Sequence, residues 1–142
     1  MIAVGSDHAG YELKNQLIEH LKNRGYEVKD YGTYSEESCD YPDYAQKVAN
    51  AVAAGEAQQG LLVCGTGIGM SIAANKVKGI RAAVLSDEFS AEATRSHNDA
   101  NILCLGARVV DYAKAEKLLD IFLDTPFSAE EKHIRRISKI EG

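Results

Sequence analysis

One stretch of the chain concentrates residues suited to proton-transfer chemistry: Cys64-Gly65-Thr66-Gly67-Ile68-Gly69-Met70-Ser71. Three alternating glycines let the backbone turn tightly and present consecutive N–H groups at the start of a helix. Such a turn is an anion nest, reinforced by the helix dipole. The same dipole would lower the pKa of Cys64 and supply an accessible thiolate near neutral pH. A thiolate beside aligned amides suits abstraction of a proton next to a carbonyl. Sulfur takes the proton and the amides hold the oxyanion, each donor worth roughly 2.7–4 kcal/mol in the transition state. Two other readings stay open. Cys64 could be a small core residue beside a tight turn. Alternatively, the glycines could open a dinucleotide site, with Asp87 twenty residues beyond Gly67 as the ribose ligand. The spacing is GxGxG instead of GxGxxG and follows the third strand instead of the first, which counts against a dinucleotide.

Further chemistry is scattered along the chain. Asp7-His8 couples a carboxylate to an imidazole that could bind a sugar hydroxyl or a phosphate; a helix cap and a solvated loop histidine explain the pair equally. His97, in a polar stretch, could act as a general acid or base near its working pH. Its neighbours Asn98 and Asp99 also suit a plain loop. Near the end, Lys132, Arg136 and Lys139 share one face of a helix by their i, i+4, i+7 spacing, while Ile134, Ile137 and Ile140 favour another. A cationic face can grip a phosphate or simply be solvated. Cys39 reads as a loop thiol and Cys104 as a buried strand residue.

These residues need a scaffold, and the apolar pattern describes one. Ile2–Gly5, Tyr26–Tyr31, Gly60–Cys64, Arg81–Leu85 and Ile102–Leu105 read as strands. Between them lie helical stretches. Gly10–Arg24 carries Leu13, Leu17 and Leu21 inward and stops at Gly25; a second helix opens at Pro42 and ends at Gly55. A third runs to about Lys76, a fourth holds Ala91–Arg95, and a fifth is capped by Asp111. Ser128-Ala129-Glu130-Glu131 has the form of a capping box opening a last helix over about 128–141. Strand and helix alternate with short connections. The expectation is an α/β fold: a three-layer α/β/α sandwich, Rossmann-like, around a five-stranded parallel sheet, with residues 1–142 as one domain. Ligands of such sheets bind outside the carboxyl ends of the strands. Gly5–Gly10, Asp30–Gly32, Cys64–Ser71, Ser86–Glu88 and Gly106–Arg108 follow strands, and Ser96–Asn101 precedes the last one.

Composition narrows the partners. The hydrophobic fraction is 45% and the charged fraction 26%, as in ordinary globular proteins. No apolar run approaches a membrane span, and Met1 leads into Ile2-Ala3-Val4 with no sign of a signal peptide. A net charge of −5 argues against nucleic acid or an anionic membrane as partner; a basic C-terminal corner in an acidic protein suits a small anionic ligand. Three cysteines without CxxC spacing imply neither a disulfide framework nor a zinc site, and a cytoplasmic setting is expected.

Taken together, Gly5-Ser6-Asp7-His8-Ala9-Gly10, Asp40-Tyr41-Pro42, Cys64 through Lys76, Gly79-Ile80-Arg81-Ala82, His97-Asn98-Asp99-Ala100-Asn101 and Gly106-Ala107-Arg108-Val109-Val110 closely resemble the type B ribose-5-phosphate isomerases, in the family that also holds galactose-6-phosphate isomerase subunits. The resemblance spans essentially the whole chain. It implies interconversion of ribose 5-phosphate and ribulose 5-phosphate within pentose phosphate metabolism, without metal or organic cofactor. A six-carbon substrate such as allose 6-phosphate or galactose 6-phosphate is the alternative, with a non-catalytic nucleotide- or sugar-phosphate-binding module behind it. By resemblance, Cys64 is the base moving a proton between C2 and C1, with Thr66 assisting. The amides of Gly65, Thr66, Gly67, Ile68 and Gly69 hold the enediolate at a helix head, and Ser71 on that helix also binds the substrate. His97 opens the furanose ring; Asp7, Tyr41 and Asn98 bind hydroxyls. His8, Arg108 and the last helix hold the phosphate. On that helix the family usually has two arginines four residues apart, and here the matching positions are Lys132 and Arg136, so that Arg135 or His133 could contribute instead. The resemblance also implies a homodimer or dimer of dimers whose active sites combine loops from two subunits.

Overall fold

The computed structural model describes residues 1–142. Five strands, β1 (Ile2–Ser6), β2 (Val28–Asp30), β3 (Gln59–Cys64), β4 (Ala82–Val84) and β5 (Ile102–Gly106), alternate with helices α1 (Tyr11–Asn23), α2 (Tyr41–Ala53), α3 (Ile68–Ala74), α4 (Glu88–Ser96) and α5 (Tyr112–Asp124). A last helix, α6 (Glu131–Glu141), follows. Every strand pair is parallel and the order is β2-β1-β3-β5-β4. This is the expected α/β/α sandwich. β2 and β4, read from sequence as five or six residues, are three each. They are the two edges of the sheet, where each has only one neighbour to pair with.

Successive side chains of a strand point to opposite faces, and the core divides accordingly. Ile2, Val4, Leu61, Val63, Leu103 and Leu105 meet Leu13, Leu17 and Leu21 of α1 and Leu118, Leu119 and Phe122 of α5. Ala3, Leu62, Cys64, Ile102 and Cys104 meet Val48 and Val52 of α2 and Met70 and Ala74 of α3. Each fully buried aliphatic side chain contributes about 1.5–3 kcal/mol. Sulfur 64 thus belongs to the α2/α3 side of the sheet.

One charged side chain is enclosed completely. Lys14 of α1 is fully buried, its Nζ 2.9 Å from both carboxylate oxygens of Asp30 and 2.5 Å from the Thr33 carbonyl oxygen. It ties α1 to the end of β2 and to the loop that leads towards α2.

The last helix departs from expectation. It begins at Glu131, not Ser128, because Ala129 takes a left-handed conformation (φ 58°) that no helical turn includes. The capping box does not form: Ser128 Oγ accepts from the Glu130 N–H at 3.4 Å, and Glu130 is the N-cap without a side-chain cap bond. Its isoleucines do not face the core, since Ile134 and Ile140 are exposed and the one buried residue is His133. α6 lies outside both helical layers, held by the Ser128 N–H to Ser96 O bond and by the Arg81–Glu141 ion pair. No helix is long and apolar enough to cross a membrane.

Candidate active site

The strand order has a switch point at β1 and β3: the chain leaves β1 towards β2 on one side and later reaches β3 on the other. The crevice at the carboxyl ends of β1 and β3 is where such sheets bind ligands. Ser6 pairs with Val63 in register, so Asp7 and Cys64 flank that crevice. A cleft of about 450 Å³ opens there, lined by Asp7, Tyr41, Cys64, Gly65, Thr66, Ile68, Gly69, Ile72 and Arg108. Eight of these nine carry expected roles. Ile72 does not; its signal was the four-residue step from Ile68, which puts both on one face of α3.

Each lining residue is placed by local structure. Asp7 is buried, and its Oδ1 accepts from the Gly10 N–H at 3.0 Å, closing the turn into α1. Oδ2 has no partner within the chain. Gly67 sits at φ 78°, a left-handed turn that a side chain would strain. That turn directs its N–H at Cys64 Sγ, 3.1 Å away. Tyr41 opens α2 and lies close against Gly69, where a Cβ would come 2.5 Å from the ring. Arg108 follows β5 and covers Gly65, with no ion pair or hydrogen bond of its own to another side chain. It is a guanidinium free to take an anion.

Accounting for the amides refines the expected nest. Gly67 N–H is taken by Cys64 Sγ and Ile68 N–H by Thr66 Oγ1 at 3.2 Å. The N–H groups of Gly65, Thr66 and Gly69 donate to no group of the chain. An oxyanion would therefore meet these three, not the full run from Gly65 to Gly69. Ser71 turns inward and its Oγ donates to the Ile68 carbonyl at 2.7 Å, so it does not line the cleft. Cys64 is also less accessible than expected: only 5% of it is exposed, because it packs with the α2/α3 core while its remaining surface faces the cleft. Cys104, wholly buried, has its thiol pushed up by desolvation and by the neighbouring Cys64, and stays protonated. His8 lies beside this region in the loop after β1; its Nδ1 accepts from the Cys39 N–H at 3.2 Å.

His97 and Asn98 lie elsewhere. They follow α4 and precede β5, and residues that precede a strand lie at its amino edge. Cys64 ends β3 at the carboxyl edge. The two are separated by the length of a strand, roughly 15 Å at about 3.3 Å per residue. Lys132 and Arg136 lie on α6, whose His133 stacks on His97. Within one chain, the expected site therefore falls into two groups on opposite edges of the sheet. Asp87 is an N-cap: its Oδ2 accepts from the Ser90 N–H at 2.9 Å, which holds the carboxyl below its ordinary value. It follows the edge strand β4, remote from the switch point, and the dinucleotide reading has no support. One group of metal-type ligands, His20, Glu116 and Asp120, has donor atoms within 4.8 Å, but Arg24 already neutralises Asp120 at 2.8 Å.

A parallel α/β sandwich with a thiol, unpaired amides and a free guanidinium at its switch point is the kind of protein that acts on small anionic substrates. Comparison with known proteins is specific. A family model described as Ribose/Galactose Isomerase matches residues 2–140, and the chain belongs to that family. It is 49% identical over 139 residues to ribose-5-phosphate isomerase B of Escherichia coli, covering 98% of this chain and 93% of that one. The ribose-5-phosphate isomerase B of Clostridium thermocellum superposes with a TM-score of 0.97 at 52% identity, covering 99% of this chain and 94% of that one. The Mycoplasma genitalium enzyme, solved with bound ribulose-5-phosphate, gives 0.94 at 43% identity, covering 99% of this chain and 93% of that one.

Proposed function

We propose that this protein interconverts ribose 5-phosphate and ribulose 5-phosphate through an enediolate, with Cys64 as the base. Cys64 Sγ takes the C2 proton of the open-chain aldose. The electron pair of that C–H bond forms the C1–C2 double bond, and the carbonyl electrons move onto O1. The Gly65, Thr66 and Gly69 amides receive that charge. A proton passes from the O2 hydroxyl to O1, and the O2 electrons form the C2 carbonyl. The double-bond pair takes the proton back from sulfur at C1, and the ketose results with nothing oxidised or reduced overall. Asp7 and Tyr41 meet hydroxyls, while Arg108 and His8 meet the phosphate. The observation that carries this reading is the cleft itself, where a sulfur, partnerless amides and an unpaired guanidinium converge on about 450 Å³.

Ring opening by His97 then requires a second copy. That copy would bring its amino-edge group, His97 and Asn98 with Lys132 and Arg136 of α6, over the Cys64 cleft. Support comes from the separation of the two groups within one chain and from the exposed Ile68, Ile72, Val84, Phe89 and Ile134, which form no core of their own. The assembly is a homodimer or a dimer of dimers. Three free cysteines favour a reducing cytoplasm.

The test is turnover of ribose 5-phosphate by the wild type beside Cys64→Ala, followed by NMR in D2O. The wild type should place solvent deuterium at C1 of ribulose 5-phosphate, and Cys64→Ala should lose about 10³-fold or more in kcat. Wild-type turnover by Cys64→Ala, or a higher kcat/KM on allose 6-phosphate than on ribose 5-phosphate, would overturn the assignment.

A further inference from the structure

The two imidazoles at the amino edge are not neighbours by sequence; they are brought together by the docking of α6. His97 is the exposed C-cap of α4 and His133 the single buried residue of α6. Their ring centroids lie 4.4 Å apart with planes 13° from parallel, a stacked pair. Phosphate binding does not account for this geometry, because a buried ring lying flat against another ring points its face, not an N–H, at its neighbour. Nor does ordinary core packing, since everything else on the helix is exposed or half-buried. The remaining polar contact of His133 is Nε2 to Glu130 Oε2 at 3.3 Å.

We propose that His133 is a positioning residue for His97, holding its imidazole in the plane needed for proton transfer to the sugar ring. The inference rests on the catalytic reading of His97 given above. Charge follows from the same geometry. Two stacked imidazoles do not both accept a proton readily. Burial holds His133 below the ordinary histidine value; the charges of His97, Lys132 and Arg136 act in the same direction, and Glu130 opposes them. His133 thus offers His97 a neutral, flat aromatic face. Glu92 of α4 lines the same groove as His97. The groups facing the pair are thus Glu92, Glu130, Lys132 and Arg136.

The experiment uses the full-length protein with His133→Ala, His133→Phe, His97→Ala and the double variant His97→Ala/His133→Ala. Phenylalanine keeps the flat, neutral face and removes the competing proton site. His133→Ala should lower kcat about tenfold with KM changed less than about twofold. His133→Phe should recover most of that loss. On the His97→Ala background, His133→Ala should cost nothing further, because its effect passes through His97. NMR shifts of the His97 ring protons, without substrate, should stay near their wild-type values in His133→Phe and move in His133→Ala, because only the alanine removes the stacked face. Equal kcat losses in Ala and Phe, an additive loss in the double variant, or His97 ring shifts unchanged in His133→Ala would each overturn the proposal. If His133→Ala does not fold, the His133→Phe kcat and ring shifts still decide. Full activity of His97→Ala would instead refute the catalytic reading of His97, while the ring shifts would still report whether the rings are stacked.

Discussion

Cys64 combines two properties that pull apart. It is 5% exposed, packed with Leu62, Met70 and Cys104, yet its sulfur accepts the Gly67 N–H and borders the cleft. A reagent reaches it only through that opening, whereas Cys39 is half-buried in a loop beside His8. Iodoacetamide should therefore modify Cys39 before Cys64, followed by peptide mass spectrometry. Activity should fall in step with Cys64, not Cys39, and ribose 5-phosphate should slow the loss. Full activity after complete modification of Cys64 would remove it from the mechanism. Residue types offered this thiol as a candidate base, with a core cysteine beside a tight turn and a dinucleotide loop as the open alternatives. What they did not disclose was which amides remain unpaired. That depends on the left-handed turn at Gly67 and on Thr66 Oγ1 reaching the Ile68 N–H, which only folded geometry decides.

Strands and helices were readable in order because period-two and period-3.6 apolar patterns alternate cleanly from Ile2 to Phe122. Their edges were less so. β2 and β4 are shorter than their apolar runs since an edge strand pairs on one side only. α6 starts late because a local Ser-x-x-Glu signal gives way to a left-handed residue at Ala129. His97 was readable as preceding β5, but loop order does not say how far that places it from Cys64, which the strand length decides. Lys14 went unnoticed because a lysine three residues before Leu17 looks solvated, yet it anchors α1 to Asp30 and Thr33. Replacing it with methionine leaves Asp30, itself part-exposed, without its partner. The loss should be about 3 kcal/mol, seen as a fall in Tm of roughly 10 °C. An unchanged Tm would mean that the ion pair only offsets its own desolvation.

At the scale of the whole molecule, the proposed reading places half of the chemistry on each edge of one sheet. The carboxyl edge holds Cys64, the partnerless amides and Arg108; the amino edge holds the His97–His133 pair and the cations of α6. A two-fold pairing of identical chains can bring unlike edges together twice, since each copy gives to the other what it receives. The most direct measurement is complementation between Cys64→Ala and His97→Ala, each purified inactive, then unfolded together, refolded and assayed on ribose 5-phosphate. In a mixed dimer one site pairs the intact Cys64 of one chain with the intact His97 of the other, and the second site lacks both. Random pairing of equal amounts should restore about a quarter of wild-type activity. Activity no greater than the sum of the two variants alone would contradict a site shared between chains and, with it, the joint action of Cys64 and His97.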